Sequence, residues 1–235
     1  MPPMIELTPL EARVLGTLIE KAQTVPGQYP LTLNGLVVGC NQKNNRDPVT
    51  NLSEDDCLRA LDGLKSKGLV REALMAGSRV HKFRHVAREG LGVSTAELVV
   101  LAELMLRGPQ AAGELRGRAA RMMPPDDVGL QSLESATAVL EGLSARAEPL
   151  VRRLVRRPGE RAERWAQLIA PAAHPLDGPV TAERVVMGDG AAARGGDGGS
   201  DAAVAQEAVE ELRGRVAALE GEVAALRAMV ERLTG

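Results

Sequence analysis

Aromatic residues are nearly missing from this sequence: Tyr29, Phe83 and Trp165 are the three among 235 residues. Its cores must be filled by Leu, Val, Ala and Met, which argues against a ligand site walled by stacked rings and against a single-strand binder that works by base stacking. Cysteine is scarce too. Cys40 and Cys57 are too few and too far apart for a zinc knuckle, and both read as small buried hydrophobes. There is no run of about 18 apolar residues, and the N-terminal stretch has no basic region followed by an apolar one. The expectation is a cytoplasmic protein with no membrane partner.

Net charge is almost nil, at -2, but it is unevenly placed. Residues 1–90 carry 12 basic and 10 acidic groups, residues 91–170 carry 11 and 10, and residues 171–235 carry 6 and 11. The acidic surplus lies in the tail, and net charge alone does not point to nucleic acid.

Catalytic signatures are missing as well. No Gly-rich stretch ends in Lys-Ser/Thr, no GxGxxG follows a strand, and HExxH and GxSxG do not occur. His81 and His85, on one strand, would stand about 13 Å apart, beyond sharing a metal. His174 falls in a connector, and Asp55 and Asp56 sit at a helix start, where the helix dipole accounts for them. The expectation is a non-enzyme with no cofactor and no metal site.

What is present is helical punctuation. Thr8 and Glu11 form a capping-box signature ahead of Leu10, Val14, Leu15, Leu18 and Ile19, predicting a first helix that ends near Gln23. A second, shorter helix runs from Leu31 to about Cys40, and the polar loop NQKNNRDPVTN leads to a third, capped by Ser53 and stopped at Gly68. LVREALMAGSRVHKFRHV then reads as two strands around Ala76-Gly77-Ser78. Three helices before a hairpin is the winged-helix order. From Val93 the order recurs: helices follow Ser94 or Thr95, span Ala112–Ala120, and contain Leu133, Ala136, Leu140 and Leu143. Leu61 and Leu64 match Leu140 and Leu143 at one offset of 79 residues, a duplication of pattern. PLVRRLVRR spaces its apolar residues as a helix would, yet its place in the repeat predicts a strand, with AERWAQLIA returning.

The predicted fold class is α+β, mostly α: winged-helix domains over 5–90 and 93–170, a connector and Gly-rich linker over 171–200, and a coiled coil over 202–233. In the coil Val209, Val216, Val223 and Val230 occupy every a position and Leu212, Leu219, Leu226 and Leu233 every d. That combination favours a parallel homodimer. Arg215 would face Glu220 of a second copy, and Glu222 would face Arg227.

LTPLEARVLGTLIEKAQT, LTLNGLVVGCNQKNNRDPV, LRALDGLKSKGLV, SRVHKFRH, LRGPQAAGELRGRA and RRPGERAERWAQL together resemble the YceH-like proteins of bacteria, over about residues 5–170, with CNQKNNRDPV the most specific segment. The resemblance implies tandem winged helices in a cytoplasmic setting, and no established activity.

Two readings of function stay open. In the first, duplex DNA is held by basic hairpins: Arg79, Lys82 and Arg84 in one, Arg152, Arg153, Arg156, Arg157, Arg161 and Arg164 in the other, with Lys43, Asn44, Asn45 and Arg46 ahead of the third helix. In the second, the modules dock an unidentified protein partner, because Glu54-Asp55-Asp56 puts three acids on the helix that should approach phosphates.

Overall fold

In the computed structural model, which describes residues 5–73, 80–124, 127–156 and 162–174, helix starts follow the caps. Thr8 Oγ1 accepts from the Glu11 N–H at 3.2 Å while Glu11 accepts from the Thr8 N–H at 2.7 Å, opening α1 (Pro9–Thr24). Ser53 with Asp56 opens α3 (Glu54–Ser66), and Ser94 with Glu97 opens α5 (Thr95–Arg107). Ser132, the cap of α7 (Leu133–Ser144), pairs with Ser135. Each cap satisfies an N–H that the helix itself leaves open.

Helices α2 (Leu33–Cys40) and α6 (Ala112–Ala119) are each preceded by a two-residue strand, β1 (Leu31–Thr32) and β4 (Gln110–Ala111). Leu31 and Thr32, expected as the start of the second helix, instead pair with Phe83 and Lys82. The hairpin strands are β2 (Val70–Ala73) and β3 (Lys82–His85), then β5 (Val151–Leu154) and β6 (Arg164–Gln167). Both sheets are antiparallel and three-stranded, in the orders β1-β3-β2 and β4-β6-β5. One element, α4 (Ala87–Leu91), stands between the repeats.

The repeat extends to register. Phe83 and Trp165 occupy corresponding places in the central strands, opposite Leu31 and Gln110. Lys65 lies 5.9 Å from the Phe83 ring centre and Arg153 lies 5.0 Å from that of Trp165, so each ring is covered by a cation.

The halves share their first helices. Every residue of α1 from Glu11 to Glu20 is buried, and so is every residue of α5 from Leu98 to Leu106. A helix buried on one stripe packs on one neighbour, whereas burial all round means cover on several sides. Gly16 shows the cause, since a Cβ there would come within 3.0 Å of Leu106 Cγ. The chain also closes on itself, the Leu7 N–H donating to the Ile169 carbonyl at 2.6 Å. Among the described residues, no helix is long and apolar enough to cross a membrane.

Candidate nucleic-acid interface

Strand alternation decides which side chains of the first sheet face outward. Val70 and Phe83 point into the core, so Arg71, Lys82 and Arg84 share the opposite face, Arg71 directly across from Arg84. Arg71 and Arg84 are exposed and Lys82 half-buried, and none of the three makes an ion pair among the described residues. Like charges directly opposite in a ladder oppose pairing. Arg71 was outside the sequence expectation; the alternation in Val70-Arg71-Glu72 was the signal for it.

The second sheet keeps half of this arrangement. Val151 is buried and Arg152 exposed, as Val70 and Arg71 are, but Arg152 lies across from Ala166. Arg156 is exposed beyond the strand, and Arg164, half-buried, shares the outward face with Arg152. Arg153 is otherwise engaged, with 3.2 Å contacts to both Glu141 and Glu163. Its charge is locally neutralised, which removes it from the free cations expected there.

The third helices present acid. The exposed positions of α3 include Glu54, Asp55, Leu58 and Asp62, and its one exposed cation, Arg59, is ion-paired to Asp56. Exposed Leu133, Glu134 and Glu141 lie along α7, which contains no Lys or Arg.

The loop before α3 corrects the expectation most. Lys43 and Asn44 are exposed, as a surface contact needs. Arg46 is 5% exposed: its Nη2 donates to Glu20 Oε2 at 2.6 Å and to the Gly39 carbonyl at 2.8 Å, its Nε donates to the same carbonyl at 3.2 Å, and its Nη1 donates to the Asn45 carbonyl at 2.7 Å. With its donors thus engaged, Arg46 is not free for phosphate. Asn45, at φ 61°, turns its Oδ1 to accept from Arg107 of α5. The Asp47 N–H donates to the Leu106 carbonyl at 2.9 Å, and Arg13 Nη2 donates to the Pro48 carbonyl at 2.6 Å. His174, expected in a connector, packs on Gly108 (φ 75°), where a Cβ would meet its ring at 2.6 Å, and its Nε2 lies 2.9 Å from the Asp47 carbonyl. The loop is a clasp joining α1, α5 and the turn after the second sheet.

Charge inside this junction shifts its titrations. Burial, with Arg46 adding to it, lowers Arg13 to about 10. Glu103, 3.1 Å from Arg107, is raised by burial against the pull of Arg107, Arg118 and Arg121, with Glu20 reinforcing the rise.

Arg79, Arg157 and Arg161, and all eight coil positions, Val209, Leu212, Val216, Leu219, Val223, Leu226, Val230 and Leu233, lie outside the described residues.

Comparison with known proteins places this arrangement. Residues 7–160 match the model of a family described as "Protein of unknown function, DUF480". The chain belongs to the DUF480 family. UPF0502 proteins of Burkholderia cenocepacia and Burkholderia ambifaria are similar to it, at 45% identity over 228 residues and 44% over 230, each match covering 97% of this chain and 88% of the relative. One from Burkholderia pseudomallei is 43% identical over 230 residues, covering 98% and 88%. The kinship expected with the YceH-like proteins is thereby established, since these are one family. In this DUF480 chain the segment that most resembled the family, CNQKNNRDPV, is the clasp itself: Asn41 Nδ2 donates to the Leu52 carbonyl at 2.8 Å and Asn41 Oδ1 accepts from the Leu52 N–H at 2.7 Å. Its amides close a loop.

Proposed function

We propose that the chain is a non-enzymatic duplex-DNA-binding protein built of two winged helices, which docks by its hairpin wings rather than by its third helices. The repeated order of helices before a hairpin supports the winged-helix reading. The single observation that carries the DNA reading is Arg71 across from Arg84 with Lys82 beside them and no acid paired to any. A fold that leaves like charges opposed and unneutralised gives up stability there, and a row of phosphates supplies the missing counter-charge. Acid on α3 and α7 keeps those helices off the backbone, so recognition is wing-led. Lys43, Asn44, Arg152, Arg156 and Arg164 supply further contacts, and the Val/Leu seam over 209–233 pairs two chains in parallel, doubling the site.

The test is duplex affinity at about 50 mM and at near-physiological salt. Replacing Arg71, Lys82 and Arg84 with Ala is expected to weaken binding on all sequences alike and to lower the salt slope by about 0.9 for each phosphate no longer neutralised. Absence of binding by the unmodified chain at the lower salt sinks this reading. The alternative, docking of a protein partner, is favoured by one observation: the acidic outward faces of α3 and α7 carry exposed Leu58 and Leu133, which suit a partner with basic residues around an apolar pocket.

A further inference from the structure

At the junction of the two halves is a small pocket lined by apolar Leu10, Leu52 and Met105 and by polar Arg13, Thr50 and His174. Arg13 is 5% exposed, and only its Nη2 is engaged, on the Pro48 carbonyl; Nη1 has no hydrogen-bond partner among the described residues. No carboxylate pairs with it, whereas neighbouring Arg46 has Glu20. A buried guanidinium without a counter-ion is costly, and such groups are ordinarily paired. His174 completes the asymmetry. Its Nε2 faces a carbonyl, which can only accept, so the proton is on Nε2 and Nδ1 is a bare acceptor, also without a partner. Burial lowers its pKa, so the ring is neutral.

The pocket thus holds one unmatched cationic donor and one unmatched neutral acceptor inside an apolar lining. A carboxylate answers the first and a hydroxyl the second, while a phosphate dianion would bring a second charge that nothing in the pocket balances. We propose that this pocket binds a small hydroxycarboxylate, its carboxylate on Arg13 Nη1 and its hydroxyl donating to His174 Nδ1. Both nitrogens are enclosed, so entry shifts the Pro171–Ala173 turn. Because the lining comes from α1, the clasp, α5 and that turn, the ligand binds only the assembled fold and stabilises it, whatever the hairpins contact.

Thermal unfolding of the full chain with L-lactate, with propionate, which lacks the hydroxyl, and with inorganic phosphate at matched ionic strength tests this. Lactate is expected to raise the midpoint in a concentration-dependent way, propionate to raise it less, and phosphate to leave it unchanged. Arg13→Met removes the charge at similar length and is expected to fold and to abolish the lactate shift. If that variant does not fold, Ala173→Leu, which fills the pocket from its lining and leaves Arg13 in place, must abolish the shift instead. No rise with lactate at about 100 mM, well above the millimolar Kd of so small a ligand, overturns the proposal. An undiminished shift in a folded Arg13→Met or Ala173→Leu variant, propionate equal to lactate, or phosphate equal to lactate overturns it as well.

Discussion

Arg46 and Glu20 form a two-pronged pair inside the junction, and breaking one side strands a buried charge. Glu20→Ala is expected to cost on the order of 3–5 kcal/mol by urea denaturation, while the double replacement Glu20→Leu with Arg46→Met, which removes both charges, should cost far less. In the sequence Arg46 looked like Lys43, a cation in a polar loop. What distinguishes them is a carboxylate 26 residues earlier, and local composition carries no trace of that partner. His85 makes a second prediction at this scale. Burial lowers its pKa to about 4, with Glu89 opposing and Arg84 adding to the fall. Between the unfolded value near 6.5 and that folded value the unfolded chain binds more protons, so stability declines as pH falls through this window. The loss amounts to about 3 kcal/mol, and His85→Phe should remove most of the slope when unfolding midpoints are measured from pH 7 to 4. His174, lowered in the same direction, leaves a residual slope.

Elements followed local chemistry wherever that chemistry was local. Thr8, Ser53 and Ser94 announced their helices, because a cap and the residue three places on are neighbours in sequence and in space. PLVRRLVRR shows the limit. Its apolar spacing is helical, yet Val151–Leu154 pairs with Arg164–Gln167, and the repeat, not the period, identified the strand. Strands β1 and β4 could not be read at all, since two residues display no alternation, and the expected second helix absorbed Leu31 and Thr32. Glycines separate the two kinds of helix surface. Gly16→Val should cost about 1–3 kcal/mol by driving side-chain atoms into Leu106. At Gly142, inside α7 with nothing within 4 Å of a Cβ, alanine should add about 0.5–1 kcal/mol of stability. Chemical denaturation of the two variants gives opposite signs if α1 and α5 are the crossing and α7 faces solvent there.

At the scale of the molecule, the duplication was legible and the join was not. Glu11, Arg13, Thr17 and Glu20 made one side of α1 look like a solvated face, whereas all four are buried, engaged by Lys67, Pro48, the Arg13 carbonyl and Arg46. Polar residues that serve a second half of the same chain cannot be told from polar residues that serve water. The coil prediction belongs here too. Deleting residues 200–235 should halve the mass measured by light scattering, and an unchanged mass would show that the Val/Leu seam does not control assembly. The encircled pair α1 and α5 has another consequence, for how the chain can be divided. A half produced alone, cut between Leu91 and Val93, would carry its central helix with one flank stripped bare. Two such halves should behave as the parts of a split reporter: each poorly soluble by itself, and both recovered in solution when made together.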